Sequence, residues 1–220
     1  MFCKAPYTII GGKHRPYLEV VFNNKKNNKN SSKTFALVDS GADHTVIPFS
    51  LGTSIGLQKP TEEEKLASVG GVGGNLSYIE RECNLYMVNR LKNEIYVFKE
   101  TVWWIYPDDS TQKRQAELLE SYKSLSGLKS QCYSGTELHT HFENQMKGVM
   151  REIIDINNKL DTSVLLGRPF FDNFDFIQFC HKDREMEEKC FFNYKVTKGK
   201  PVEIIPLQST PLLNTVKTRG

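Results

Sequence analysis

Three short segments carry residue types at spacings that could do chemistry. The first is Phe35-Ala36-Leu37-Val38-Asp39-Ser40-Gly41-Ala42-Asp43. An apolar, β-prone run enters Asp39-Ser40-Gly41-Ala42 directly, so a strand would deliver a carboxylate at its end, where desolvating the charge is costly. Ser40 can hydrogen-bond around such a turn, and Gly41 admits close backbone approach or a positive φ. The same residues also make an ordinary strand end with an Asx-type turn. The second segment, Ala67 to Leu76, places four glycines within five residues, Gly70, Gly71, Gly73 and Gly74 around Val72. Between apolar flanks this is a hairpin tip whose backbone N–H groups are free to meet a ligand, or simply a flexible turn. A phosphate-cradling loop would need a Gly-Lys-Ser/Thr ending and a following helix, and a dinucleotide fingerprint would need a helix where a strand is expected. The third segment, Val164-Leu165-Leu166-Gly167-Arg168, is an apolar strand ending in Gly-Arg and says little alone, since Arg168 by itself is any surface arginine.

Taken together and in this order, the three segments resemble the retropepsin family, the retroviral-type aspartic proteases. That family has a catalytic Asp-Thr/Ser-Gly-Ala after a strand, then a glycine-rich flap hairpin, then a pair of apolar residues with Gly-Arg. Val69 to Gly74 looks like the family's flap tip, and Leu165-Leu166-Gly167-Arg168 with Phe170-Phe171-Asp172 looks like its final motif. The resemblance spans roughly residues 15 to 105 and 162 to 200. It implies a mainly β fold, a retropepsin-like closed β-barrel (an acid-protease half), here with a helical insertion.

By the same resemblance Asp39 is the catalytic aspartate. Ser40 would hydrogen-bond across a dimer, Gly41 would permit close approach, and Ala42 completes the active-site loop. Asp43 would bind substrate main chain and pair with Arg168, next to Gly167. Gly70, Gly71, Val72 and Gly73 would form the flap that meets substrate. The family's mechanism needs two carboxylates, and no second Asp-Thr/Ser-Gly is present: Asp108-Asp109-Ser110 lacks the glycine and Ser134-Gly135 lacks the aspartate. The second Asp39 must then come from a second copy, giving a two-fold homodimer. Two close carboxylates share one proton, the ionised one acting as base on a bridging water and the protonated one donating to the scissile carbonyl. The implied activity is aspartic endopeptidase, with no metal or cofactor, on a polypeptide bound as an extended strand. Val46, Ile47, Val69 and Leu165 are candidate pocket walls and equally plain core residues. His44 faces a pocket or the surface. Two other classes stay open: a non-catalytic dimeric peptide-binding or scaffold protein that keeps the fold, and a regulatory protein that contacts a partner through the insertion.

The elements that must position these residues read mostly as strands. Tyr17 to Phe22, Thr34 to Val38, Thr45 to Pro48, Ile79 to Val88 and Ile95 to Trp104 are apolar or alternating, with an exposed polar hairpin loop expected over Asn23 to Lys33. Short strands joined by Gly and polar turns suggest a small barrel or sandwich. The character changes near Pro107. Ser110 to Leu125 is rich in helix formers with Ser110 or Thr111 as cap. After a Gly/Ser-rich turn over Ser124 to Gly135, a second helix fits Thr136 to Leu160, where Leu138, Phe142, Met146, Val149, Met150 and Ile153 recur at helical spacing. Residues 107 to 161 thus read as a helical insertion within a single domain of residues 1 to 220, and Trp103, Trp104 and Tyr106 at its start as core or interface. The β pattern returns from Thr162.

Composition narrows the classes. Hydrophobic residues at 39% and charged residues at 25% are those of a globular domain. Basic and acidic residues nearly balance, 29 against 26, which gives no whole-chain argument for nucleic acid or a membrane surface. No apolar run approaches the ~18 residues of a membrane span, and the first residues lack the apolar stretch of a secretory leader, so a cytoplasmic protein is expected. Five cysteines, Cys3, Cys83, Cys132, Cys180 and Cys190, are odd in number and widely spaced, which disfavours a disulfide framework. His139 and His141, two apart, point to different sides of a helix, and neither they nor Cys180-His181 make a metal site.

Overall fold

The computed structural model describes residues 3–10, 13–27, 29–31, 33–71, 74–89, 92–180 and 191–207. The strands are β1 (Cys3–Pro6), β2 (Thr8–Ile10), β3 (Lys13–Arg15), β4 (Tyr17–Asn24), β5 (Lys29–Asn30), β6 (Thr34–Val38), β7 (Thr45–Ile47), β8 (Ala67–Gly71), β9 (Gly74–Asn89), β10 (Glu94–Ile105), β11 (Leu165–Leu166), β12 (Phe174–Cys180), β13 (Phe191–Val196) and β14 (Glu203–Pro206). The helices are α1 (Phe49–Ser54), α2 (Asp109–Ser130), α3 (Glu137–Leu160) and α4 (Arg168–Phe171). The chain divides into two compact units. One holds residues 1–59, 80–104 and 163–220, the other residues 60–79 and 105–162.

The first unit is built on a closed barrel of six strands in the order β10-β7-β11-β6-β4-β9, with β9 returning to β10. The ladder is mixed: β10 with β7 and β11 with β6 run parallel, while β11 with β7, β6 with β4 and β4 with β9 run antiparallel. Closure leaves these strands no open edge. Alternation explains the wall: along β10, Phe98, Glu100, Val102 and Trp104 are buried, while Lys99 and Thr101 are exposed. Inside, Phe170 packs on Phe174 at 4.8 Å and edge-on against Phe98 at 6.2 Å between ring centroids. A second sheet, β1-β13-β12, and the β2-β3 hairpin belong to the same unit.

Helix α1 was not expected from FSLGTS, a sequence of weak helix formers. It forms because it lies on Trp104, whose indole N–H donates to the Phe49 carbonyl at 3.2 Å. Gly52 sits so close to that indole that a Cβ there would overlap it. The polar stretch after Phe22 also differs from expectation, since Asn23 and Asn24, the last residues of β4, and Ser31 are buried. Asn24 donates to the Gly56 carbonyl at 2.7 Å and so fastens the turn to the segment after α1, while Asn23 donates to the Asn30 side chain at 2.7 Å across the hairpin itself.

In the second unit, α2 and α3 form an antiparallel hairpin. Leu118, Tyr122 and Leu125 face Phe142, Met146, Val149, Ile153, Ile156 and Leu160, which recur at four- and three-residue steps and are the buried or half-buried positions. Register is fixed by a two-pronged Arg114–Glu152 pair at 2.8 and 2.9 Å and by Gln115 donating to Asn157 at 3.1 Å. Leu138 and Met150, expected on the apolar face, are exposed. The α2 cap is Asp108, two or three residues earlier than Ser110 or Thr111: its carboxylate accepts from the Thr111 N–H at 2.7 Å and is held below its usual range by that bond. The helix runs through Gly127 to Ser130, so the turn is shorter than Ser124 to Gly135. It closes at Gly135 with φ 85°. Among the described residues no helix is long and apolar enough to cross a membrane.

Candidate active site

Asp39 follows β6 directly, and backbone bonds fix where it leaves the barrel wall. The Leu37 N–H donates to the Val164 carbonyl at 2.9 Å, Val38 to Pro16 at 2.9 Å, and Asp39 itself to Leu166 at 3.1 Å. The turn then closes on the aspartate. Its backbone carbonyl accepts from the Ala42 N–H at 3.2 Å, and its Oδ1 accepts from the Gly41 N–H at 2.9 Å. Positive φ among the described glycines is confined to Gly56, Gly135 and Gly199, so Gly41 serves clearance rather than handedness. A Cβ there would sit 3.2 Å from Asp39 Oδ1. The carboxylate is half-exposed at the rim in the single chain, not deeply buried, and Ser40 and Gly41 beside it are exposed.

The Gly167–Arg168 segment backs this loop through main chain. The Arg168 N–H donates to the Ala42 carbonyl at 2.9 Å. Gly167 lies against the backbone of His44 so closely that a Cβ would overlap its carbonyl and come within 2.8 Å of the Ala42 oxygen. The structure therefore brings Asp39, Ser40, Gly41, Ala42 and Asp43 together with Gly167 and Arg168. The expected Asp43–Arg168 pair forms at 3.2 Å, but with side chains 66% and 70% exposed it is a surface pair rather than a buried one.

No family model, curated protein or solved structure matches this chain. What the site can do follows from its own geometry.

His44 is half-buried, stacked on Trp103 at 3.8 Å and 17° between planes, and the Trp103 indole donates to Glu80 at 3.0 Å. It is a platform residue, not a loose surface histidine. Of the candidate pocket walls in this unit, Ile47 is fully buried and belongs to the core, while Val46 and Leu165 are half-buried. Trp104 and Tyr106 are buried as expected.

The flap residues belong to the second unit. There β8 pairs antiparallel with the start of β9, Val69 opposite Leu76, Gly70 opposite Asn75 and Gly71 opposite Gly74. The glycine-rich segment is thus a hairpin as read. Its tip, Val72 and Gly73, lies outside the described residues. Val69 is half-buried and Gly70 exposed.

One residue near the site was missed. Glu100 points into the barrel, only 3% exposed. Its carboxyl accepts from the Asn173 amide at 3.0 Å. Burial pushes it up to about 7, the bond from Asn173 pulls it back in part, and the charge of Asp172 pushes the same way as burial. Burial, and next the Glu100 charge, also push the Cys83 thiol up, which leaves that cysteine inert. The signal was present in the sequence: an acidic residue at the inward parity of Phe98, Val102 and Trp104.

Proposed function

We propose that this chain is one half of a homodimeric aspartic endopeptidase of the retropepsin-like type, with Asp39 as the catalytic carboxylate. The observation that carries the reading is the treatment of Asp39. It stands at the end of a barrel strand, is held on its main chain from β11, and has one oxygen gripped by the Gly41 N–H while the side chain stays half-exposed. A carboxylate that only closed an Asx turn would need no second strand ending in Gly167 pressed against the same loop.

In the dimer two Asp39 carboxyls would face each other and share a proton. The ionised one takes a proton from a water as that water attacks the scissile carbonyl carbon. The protonated one donates to the carbonyl oxygen, and the tetrahedral intermediate collapses with proton transfer to the departing amine. Substrate would lie extended across the paired sites. No metal or organic cofactor enters these steps.

A second reading, a dimeric peptide-binding or scaffold protein, draws support from the helical hairpin, whose Leu119, Leu128, Leu138 and Ile154 side chains are exposed and apolar. The two are separated by incubating the purified chain and its Asp39→Asn variant with a mixed peptide library from mildly acidic to neutral pH, with mass in solution measured on both. Cleavage by the parent and none by an equally dimeric variant is expected. Binding without cleavage favours the scaffold reading, and equal cleavage by both removes Asp39 from the mechanism.

A further inference from the structure

The second unit holds a cavity of its own, about 520 Å³ in volume, within the range of pockets that take small molecules. Three segments build its wall: the start of β9, the first turns of α2 and the last turns of α3. The Tyr106 N–H donates to the Ser77 carbonyl at 3.0 Å and joins β9 to the chain that enters α2. The floor is apolar. Tyr106, Pro107 and Leu160 are buried there, and Leu76 and Ile156 are half-buried.

The charged groups on the wall divide into engaged and free. Arg114 and Glu152 hold each other through two bonds at 2.8 and 2.9 Å. Asp108 is engaged as the cap of α2, one oxygen accepting from the Thr111 N–H and from the Ser110 hydroxyl. That leaves one carboxylate, Asp155, and one ammonium, Lys159. Both are exposed, and neither side chain has an ion-pair or hydrogen-bond partner among the described residues. They stand at i and i+4 on α3, in the acid-first order that favours a direct pair, yet they do not pair with each other. The wall thus offers a negative and a positive pole, about 6 Å apart along the helix, above an apolar floor.

We propose that this cavity binds a short peptide with free termini, its α-ammonium on Asp155, its carboxylate on Lys159 and its apolar side chains on the floor of Leu76, Tyr106 and Ile156. Charge complementarity selects the class. A lone anion would meet Lys159 with Asp108, Glu152 and Asp155 on the same wall, and a lone cation would meet Asp155 with Lys159 beside it. A dipolar ligand satisfies both free groups at once. An extended dipeptide spans at most about 7 Å, which suits the separation of the two poles, and its two side chains use the floor that a single small ion would leave empty. Where such peptides come from rests on the endopeptidase reading, whose hydrolysis gives each fragment a new terminus; the binding itself does not.

The test is an amide NMR titration of the isotope-labelled full chain, carrying Asp39→Asn so that cleavage cannot enter the readout, with the dipeptide leucyl-leucine. Shifts confined to residues 75–77, 106–114 and 152–160 are expected, saturating below about 10 mM. Blocking one end, as N-acetyl-leucyl-leucine or leucyl-leucine amide, should weaken binding about fivefold or more. Asp155→Asn should weaken leucyl-leucine by a similar factor and bind it and its N-acetyl form alike. Lys159→Met should do the same for leucyl-leucine and its amide. Both positions are exposed, so both variants should melt as the parent does. No saturation in that range, equal binding of a peptide blocked at both ends, shifts centred elsewhere, inorganic phosphate binding more tightly than the dipeptide, or variants that bind every form as the parent does would each overturn the proposal. Binding by a parent chain that cleaves nothing would sink the endopeptidase reading and leave this site standing; cleavage without this binding would do the reverse.

Discussion

Gly167→Ala is the sharpest probe of how the site is held. The added methyl group has nowhere to go: its Cβ would overlap the His44 carbonyl and reach within 2.8 Å of the Ala42 oxygen, and these neighbours are backbone rather than flexible side-chain ends. Relief requires the Asp43–Thr45 chain to move away from β11. That movement stretches the Arg168 N–H to Ala42 bond, now 2.9 Å. Overpacking of this kind costs about 1–3 kcal/mol, and a lost hydrogen bond adds about 1 kcal/mol. Together about 3 kcal/mol should lower the midpoint of thermal unfolding by roughly 6–12 °C for a chain of this size. The assay is circular dichroism melting of Gly167→Ala beside Gly148→Ala. Gly148 lies exposed on α3 with nothing within 4 Å of a Cβ, so alanine there should gain about 0.5–1 kcal/mol. On the proposed endopeptidase reading, peptide cleavage by Gly167→Ala should fall at least tenfold even well below its melting point, because the Asp39 loop moves with the backbone it rests on. A midpoint within about 2 °C of the parent would show that the loop accommodates the methyl freely, and the argument that Gly167 fixes the site would fail.

Two further outcomes follow from the same geometry. Glu100 has a folded value near 7 against 4.5 for the free carboxyl. A raised value means that its contribution to stability is fully present below about pH 4.5 and is lost as pH rises through about 7, in total about 3 kcal/mol at 1.36 kcal/mol per unit. Urea midpoints of the parent minus those of Glu100→Gln should trace that decline, and parallel curves would refute it. Arg168→Ala removes an ion pair whose side chains are mostly exposed, so stability should change by no more than about 1 kcal/mol; a loss above about 2 kcal/mol in chemical denaturation would show that the pair is held more tightly than its exposure implies.

Much of the barrel was legible because its strands carry apolar alternation of their own. Thr34 to Val38 is β6 residue for residue, and Ile95 to Trp104 falls short of β10 by one residue at each end. What escaped was structure whose cause lies elsewhere in the chain. Helix α1 is held by Trp104, about fifty residues away. Asn23 and Asn24 read as solvent-facing until their acceptors near Gly56 and Asn30 are known. The turn between the long helices was drawn too early because Ser124, Ser126 and Gly127 look like loop residues, yet an exposed helix tolerates one glycine at about 1 kcal/mol when tertiary pairing supports it. At the site the same division holds. Asp39, Gly167 and Arg168 were visible as residue types, but the overlap that makes Gly167 necessary is a contact between distant backbones. Glu100 went unread because a single acidic residue in IYVFKETVWWI looks like a surface charge until parity is counted.

The two-residue strand β11 has a consequence for the order in which this molecule can be made. Leu165 and Leu166 alone join β6 to β7 within the barrel ring. Until a ribosome has released them the ring stays open, and Asp39 lacks the Leu166 carbonyl that its N–H is bonded to. The candidate site therefore cannot mature before Leu165 and Leu166 have been made, whatever the early strands have done. Val46 and Leu165 are separated by roughly 120 residues, a slow closure by the contact-order rule. The α2–α3 hairpin spans nearly half of that gap and pairs locally, so it can zip first and bring residues 115 and 157 side by side. The thermodynamic benefit of the shorter loop is only about 0.5 kcal/mol. Its larger effect is on timing: a nascent chain that has already zipped its longest excursion has less unpaired chain to search when the last barrel strand arrives.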